Sequence, residues 1–258
     1  MNSAGVVAAL AAEARVLGPA QQKGQGLALL ADGNLLVVSG MGPKAARSAA
    51  QRLLDAGATS LVSWGLAGGL DPDLEAGAVC VPREVIAADG SRLRTARGWQ
   101  ESLSSSVSSA RCVGNEPLLT AEHALETAAD KSAARRATGA CAVDMESSAV
   151  AQVAAAHGVP FIAVRVIVDT ARDGIPPAVA GASHAGRLRI GRLILGLIRS
   201  PFEIAALLRL ARRYRVALRS LRAVAALGKL EPPLANGAAS AAAAGAAASG
   251  VTSGASPA

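Results

Sequence analysis

The sequence predicts an α/β fold: a mixed central sheet flanked by helices, followed by C-terminal amphipathic helices. Three observations carry that prediction. Short apolar, β-branched runs alternate with helical patterns through residues 1–185. Two of those runs are separated only by Asp32-Gly33-Asn34, a hairpin signal that puts an antiparallel pair into the alternating chain. From residue 186 onward the strand pattern gives way to leucines and arginines at helical spacing. The chain divides accordingly into a domain at 1–185, a basic helical extension at 186–230 and an Ala/Gly/Ser tail at 231–258 whose composition predicts disorder.

Taken in order, residues 5–10 form a buried-strand run with Glu13 just beyond its end. The N-terminus has no basic start, and Glu13 and Arg15 interrupt its apolar character, so it reads as a first strand rather than a signal peptide. Residues 27–30 and 35–38 flank the hairpin signal. The second of them runs into Ser39-Gly40-Met41-Gly42-Pro43, and a helix is predicted over 44–56. Glycines there let backbone N–H groups approach an anion or a sugar hydroxyl at a helix N-terminus. The same logic recurs at 61–70, where a strand ends in Gly65-Leu66-Ala67-Gly68-Gly69. Residues 78–82 and 84–88 are strands joined at Pro82. Residues 97–114, serine-rich and aperiodic, read as an exposed loop or lid. Residues 118–120 resume as a strand, left through Ala121-Glu122-His123-Ala124, and a short helix is predicted over 130–137.

The chain is organised around Ala142-Val143-Asp144-Met145-Glu146-Ser147. An apolar run at 140–143 meets two acids bracketing a methionine, and a helical pattern follows from 147 to 157. Gly158 supplies a left-handed stop and Pro160 prevents the helix from resuming. The β-branched run 161–168 then ends on Asp169. This predicts one right-handed βαβ unit of a parallel sheet, with Asp144, Glu146 and Asp169 on the carboxyl edge where such sheets bind ligands. Residues 172–185, with two prolines, read as a flexible connection near that edge.

Composition excludes several functions. The net charge of +7 is uneven: ten arginines and Lys229 face two glutamates between residues 187 and 231, a net of +9 that leaves −2 for the rest. A basic pI that belongs to the tail argues against a nucleic-acid binder. Cys80, Cys112 and Cys141 fit no metal or redox spacing and read as reduced thiols of a cytoplasmic protein. No apolar stretch approaches the ~20 residues of a membrane-spanning helix. Aromatics make up 2% of the chain, so Ala, Val and Leu must build the core and any base pocket is mostly aliphatic.

Five segments in order carry a resemblance: residues 8–13 ending on Glu13, Ser39-Gly40-Met41-Gly42, residues 65–70, Val143-Asp144-Met145-Glu146, and residues 165–169 ending on Asp169. Together they resemble the purine nucleoside phosphorylase superfamily over about residues 4–172, and its methylthioadenosine/S-adenosylhomocysteine nucleosidases in particular. The tail, with Arg199-Ser200-Pro201 and the arginine-rich stretch after it, resembles the hopanoid-associated phosphorylases, which act on adenosylhopane. The resemblance implies a single nucleoside phosphorylase-like domain that breaks the bond between ribose C1′ and adenine N9.

It also implies roles. Asp169 matches the acid that protonates adenine N7, and an apolar wall at 164–168 would favour its neutral form. Glu146 matches the residue that holds the ribose diol, Met145 packs beneath the sugar, and Asp144 matches a substrate-site position that is acidic in the nucleosidase branch. The two glycine loops contribute Gly40, Met41, Gly42, Ala67 and Gly68 to substrate binding. His123 falls where the nucleosidases place an aromatic beside the base. Val168 replaces a serine that helps orient the acid in those enzymes. Glu13 matches the glutamate that activates water, and neither glycine loop carries an arginine to grip phosphate; the name of the hopanoid branch points the other way. Water or inorganic phosphate as nucleophile stays open, and neither a metal nor an organic cofactor is implied. Family members are often homo-oligomers, so a homo-oligomer is expected.

The tail itself places Leu207, Leu210, Ala211, Tyr214, Ala217, Leu218, Leu221, Val224 and Ala225 on one helical face and six arginines on the other, after a short apolar helix at 188–198. This suits peripheral contact with an anionic membrane surface at the inner face, where a lipid nucleoside would be found; the competing reading is a domain-packing helix with solvated arginines. Three functions follow in order: cleavage of adenosylhopane, a soluble methylthioadenosine/S-adenosylhomocysteine nucleosidase, and a nucleoside-binding membrane-associated protein without activity.

Overall fold

A computed structural model of the protein describes residues 3–24, 26–107, 112–174, 183–184, 187–188, 203–228 and 230–233. The chain runs β1 (Ala4–Ala8), α1 (Ala11–Arg15), β2 (Ala20–Gly24), β3 (Leu27–Leu30), β4 (Leu35–Val38), α2 (Pro43–Asp55) and β5 (Ser60–Gly69). It continues through β6 (Val79–Cys80), β7 (Glu84–Ile86), β8 (Arg92–Arg94), α3 (Arg97–Ser106), β9 (Cys112–Val113), β10 (Leu118–Thr120) and α4 (Ala128–Thr138). The last elements are β11 (Ala142–Asp144), α5 (Ser147–Ala156), β12 (Phe161–Asp169), the small hairpin β13 (Ser183–His184) and β14 (Arg187–Leu188), and α6 (Glu203–Ala225).

The mixed sheet is organised by β5. Its first half lies between β1 and β12, parallel to both, and its last two residues turn to pair antiparallel with β11. Gly68 is therefore opposite Val143 of β11 and Asp169 of β12 at once. Glycine eases that fork. A Cβ on Gly68 would stand 3.3 Å from Val143 Cγ1 and 3.4 Å from each Asp169 carboxylate oxygen, and one on Gly69 would stand 3.2 Å from the Asp169 carbonyl.

This corrects the βαβ expectation. α5 does connect β11 to β12 and ends at Gly158 with φ 63°, but the two strands are not neighbours in a parallel sheet. β5 stands between them, because Gly68-Gly69 lets it bend away from β12 to reach β11. The acids at the two strand ends still meet, one on each side of the fork.

Helices cover both faces. Ala46, Ala49, Ala50 and Leu53 of α2 pack with Ala149, Val150, Val153 and Ala154 of α5 on one side. On the other, Ala217, Leu221 and Val224 of α6 pack with Trp64, Ile162, Val164 and Val166. Small side chains in both layers let helices sit close to the sheet, which is how a chain so poor in aromatics fills its core.

Two further expectations change. Residues 97–106 are not an exposed loop. They form α3, with Trp99, Gln100 and Leu103 buried. The one-turn spacing of Trp99 and Leu103 gives an inward face. Gln100 Nε2 donates to the carbonyls of Val81 and Gly114 at 2.8 Å each, so packing overrides the poor helix propensity of the serines. The apolar stripe of α6 meanwhile faces the domain: Ala217, Leu221 and Val224 are at most 2% exposed. The exposed face carries Arg209, Arg212, Arg215, Arg219 and Arg222. Leu188 lies in β14 rather than a helix, and the remainder of the apolar helix expected at 188–198, like residues 234–258, lies outside the described residues. No helix among the described residues is long and apolar enough to cross a membrane.

Candidate active site

A cleft of about 650 Å³ opens at the fork of β5. Its floor is Ala67, Gly68 and Val143; its walls carry Glu13, Asp144, Glu146 and Asp169; and Leu210, Ala211 and Tyr214 of α6 close one side. The size lies within the range of small-molecule sites.

Each acid is placed by a different local device. Glu13 is in the first turn of α1 and 3% exposed. Its Oε2 accepts the Leu10 N–H at 2.8 Å and its Oε1 the Leu66 N–H at 2.9 Å. Trp64 Nε1 donates to the Glu13 carbonyl at 3.1 Å and ties the turn to β5. Burial pushes the Glu13 carboxyl above the ordinary range, opposed by the Arg165 guanidinium and by those N–H donors.

Glu146 caps α5 by position but not by side chain. The side chain turns into the cleft, where Oε1 accepts the Gly42 N–H at 2.9 Å. Gly42 has φ 97°, so a residue with a Cβ would be strained at the point where that N–H is presented. Burial raises the Glu146 carboxyl, the neighbouring Asp144 raises it further, and Arg165 opposes both.

Asp144 and Arg165 form the buried centre beneath these groups. Arg165 is 2% exposed, and its Nε and Nη2 reach Asp144 Oδ2 at 2.7 and 2.6 Å. Nη2 also donates to Ser63 Oγ and Ser147 Oγ at 2.7 and 3.1 Å, and stands 4.0 Å from Glu146 Oε2. Asp144 further accepts Thr120 Oγ1 at 2.8 Å and the Ser147 N–H at 3.1 Å. Burial alone would lower the Arg165 guanidinium; Asp144, then Glu146 and Glu13, overcome it and raise it. Gly65 makes room for the group, since a Cβ there would lie 2.7 Å from both Arg165 Nη1 and Glu13 Oε1.

Asp169 ends β12 just past a register shift, and its carboxylate pairs with the ammonium of Lys131 from α4. Burial pushes the Asp169 carboxyl up, Lys131 pulls it down, and the net direction is up.

The relation to known proteins follows from this architecture. The model of the phosphorylase superfamily matches residues 28–198. The chain belongs to the phosphorylase superfamily. As a member it is an enzyme of N-glycosidic bond cleavage. Its fold is similar to a 5′-methylthioadenosine/S-adenosylhomocysteine nucleosidase from Colwellia psychrerythraea in complex with adenine. There the TM-score is 0.65 at 20% identity, covering 90% of this chain and 97% of that one. It is also similar to futalosine hydrolase of Helicobacter pylori (TM-score 0.63, 15% identity, 89% and 97% covered) and to a methylthioadenosine/S-adenosylhomocysteine nucleosidase from Neisseria meningitidis (0.62, 17%, 88% and 99%). No curated protein sequence matches the chain.

Within this superfamily fold, Glu13, Met41, Ala67, Gly68, His123, Asp144, Met145, Glu146 and Asp169 all line the cleft. His123 is exposed there, beside Ala124 and Leu125. Gly40 does not line it; its N–H donates to the Ala9 carbonyl at 3.1 Å. Gly42 reaches the site through Glu146, and the N–H expected to meet substrate is already committed to that carboxylate. Sequence reasoning missed Arg165, Lys131 and the α6 wall. Arg165 carried a usable signal, a charge in the middle of a β-branched run, which must find buried partners. Lys131 carried none beyond its place in a short polar helix. Cys80 and Cys141 are buried thiols with sulfurs 3.4 Å apart, away from the cleft.

Proposed function

We propose that the protein hydrolyses the N-glycosidic bond of an adenine nucleoside that carries an apolar 5′ group. The observation that carries the reading is the convergence of Asp169, Glu146 and Glu13 on one cleft, each with a carboxyl raised by burial. Asp169 protonates N7 as the C1′–N9 bond breaks, so the base departs neutral and the bonding pair goes with it. The positive charge that develops at C1′ lies among carboxylates. Glu146, fixed by the Gly42 N–H, holds the ribose hydroxyls. Glu13, held through both oxygens, accepts the proton of the attacking water.

Charge supports water over phosphate. Among the described residues four carboxylates line the cleft, and two buried cations, Lys131 in the lining and Arg165 behind it, are ion-paired to two of them. The remaining cation of the lining, Arg215, is exposed on α6. With both buried cations already taken up by carboxylates, a phosphate dianion would meet those carboxylates with no free buried cation among the described residues to balance it, whereas water needs none.

The apolar 5′ group is argued from the wall that Leu10, Leu66, Val168, Leu210 and Ala211 build around the carboxylates. With the tail's resemblance to the hopanoid-associated phosphorylases, adenosylhopane is the substrate we favour. The arginine face of α6, with Leu208 64% exposed beside it, would then sit on anionic lipid and bring the cleft to its substrate. One observation favours a second reading, a methylthioadenosine/S-adenosylhomocysteine nucleosidase: the apolar stripe of α6 is already used by the core, leaving charge rather than hydrophobic insertion to bind a membrane.

Adenine release from methylthioadenosine and from adenosylhopane in vesicles, each with and without phosphate, tests the proposal. Release from adenosylhopane with free ribosyl product supports it. Release from methylthioadenosine alone moves the substrate to the second reading, a phosphate requirement overturns hydrolysis, and no release from either sinks the proposal.

A further inference from the structure

Asp169 needs something to aim its carboxyl, and the residue before it, Val168, has no hydrogen-bonding group. The partner comes instead from α4. That helix is pinned by a reciprocal cap: Asp130 N–H donates to Thr127 Oγ1 at 3.1 Å, and Thr127 N–H returns to Asp130 Oδ2 at 3.3 Å. The next residue, Lys131, is turned inward and left 1% exposed. Its ammonium donates to the Asp169 carboxylate and, at 2.9 Å, to the Thr170 carbonyl. Gly68 also stands against the carboxylate, and a Cβ there would lie 3.4 Å from both oxygens. Thr170 is itself held, since its N–H and Oγ1 donate to Asp173 Oδ2 at 2.9 and 2.6 Å, and Asp173 pairs with Arg213 of α6.

A buried ion pair is a poor device for stability alone, because desolvating two charges offsets most of their attraction. Here the buried ammonium lines the cleft and is bonded to the one carboxyl that must present a proton. We infer that Lys131 is the positioning residue for Asp169: it fixes the direction in which the acid faces the departing base and sets the pH range over which the acid keeps its proton. The inference rests on the assignment of Asp169 as the acid in the proposed function.

The charged groups facing Asp169 among the described residues are Lys131 from α4, Asp173 from the loop after β12 and Arg213 from α6. Burial and Asp173 raise the carboxyl; Lys131 lowers it. Replacing Lys131 by methionine removes the main lowering influence, so the alkaline limb of activity moves to higher pH even as turnover falls.

The test compares wild type, Lys131→Met and Lys131→Arg on two substrates. One is the adenine nucleoside that the wild type cleaves; the other is 4-nitrophenyl ribofuranoside, whose leaving group needs no proton. Lys131→Met should lower kcat on the adenine nucleoside about 10- to 100-fold with KM little changed. It should move the alkaline limb upward and leave nitrophenyl riboside turnover within about threefold, with Lys131→Arg restoring part of the loss. An equal fall on both substrates, or an unmoved pH limb, overturns the inference. If the wild type releases no adenine, the proposed function fails separately. Carboxyl ¹³C titration of Asp169 in the unliganded protein then decides, because an unchanged midpoint in Lys131→Met, or in Lys131→Gln should that variant fold better, removes the role assigned to Lys131.

Discussion

Two clusters of charge lie side by side at the fork of β5, and they are built on opposite principles. At the wall of the cleft, Asp144 accepts from both Nε and Nη2 of Arg165, from Thr120 and from the Ser147 backbone, and Arg165 behind it reaches Ser63 and Ser147 as well, so this carboxylate takes four donors. At the rim, Glu13, Glu146 and Asp169 are each fixed by one or two donors and still face the cavity. The lower cluster spends its hydrogen bonds on geometry. The upper one keeps capacity for a ligand. Asp144 and Glu146, two positions apart in sequence, thus divide into anchor and reagent by how completely the fold satisfies them.

The sharpest way to break this division is at the rim. Asp169→Asn removes the transferable proton while keeping the shape, and kcat should fall about 10²–10⁴-fold with the fold retained by circular dichroism. Turnover near wild type would end the assignment of Asp169 as the acid. The lower cluster should answer in stability instead. Arg165→Met leaves Asp144 buried without its fork, and urea unfolding should show a loss of about 3–5 kcal/mol; a loss below about 1 kcal/mol would mean the network is not an anchor.

Glu13→Gln separates the two properties in one residue. Burial disfavours the charged form of Glu13, while the amide NH2 of Gln would oppose one of the two N–H donors that the carboxylate accepts, so stability at pH 7 should change by less than about 2 kcal/mol. Activity should fall about 10- to 100-fold because no group takes the proton of water. Parallel loss of both would move Glu13 into the anchor class. The proposed roles set the shape of the pH profile: activity falls on the acid side as Glu13 and Glu146 gain protons, and on the alkaline side as Asp169 loses its own.

The smallest effect belongs to Asp173, whose carboxyl is held at about 2; burial opposes this, and the Arg213 and Thr170 hydrogen bonds outweigh it. A depressed carboxyl stabilises the fold above its unfolded value near pH 4 and loses that contribution as pH falls toward 2. Asp173→Asn should therefore cost about 1–2 kcal/mol at pH 7 and nothing near pH 2. Glu13, Glu146 and Asp169 have the opposite sign: their raised carboxyls favour the fold at low pH and lose that as pH rises through the folded values.

How much of this could be read from the chain alone divides along similar lines. The strands β1, β3 to β7 and β10 to β12, the helices α2, α4 and α5, and the meeting of Asp144, Glu146 and Asp169 followed from local signals: β-branched runs, a left-handed glycine at 158, acids at strand ends. Glu13 came from the family resemblance, and β2, β8 and β9 carried no apolar run to announce them. What escaped was what depends on partners distant in sequence. Lys131 meets Asp169 across 38 residues and Arg165 meets Ser63 across 102. The place of β5 between β11 and β12 depends on Gly68 and Gly69 permitting a fork, which no periodicity announces. α3 was hidden because serine propensity argued for a loop while Trp99 and Leu103, one turn apart, were decided by packing. The amphipathic stripe of α6 was visible, but a stripe says only that a helix has an apolar partner, and that partner is the domain's own sheet.

The central claim is that the raised carboxyls of the rim break the bond to adenine with water as nucleophile. It is tested most directly by adding an adenine nucleoside to the wild-type protein in phosphate-free H₂¹⁸O and following adenine and the sugar product by mass. The account predicts adenine release with one ¹⁸O at the anomeric carbon, at a rate unchanged by added phosphate. Release that waits for phosphate, or a sugar that carries phosphate at C1′, would contradict it.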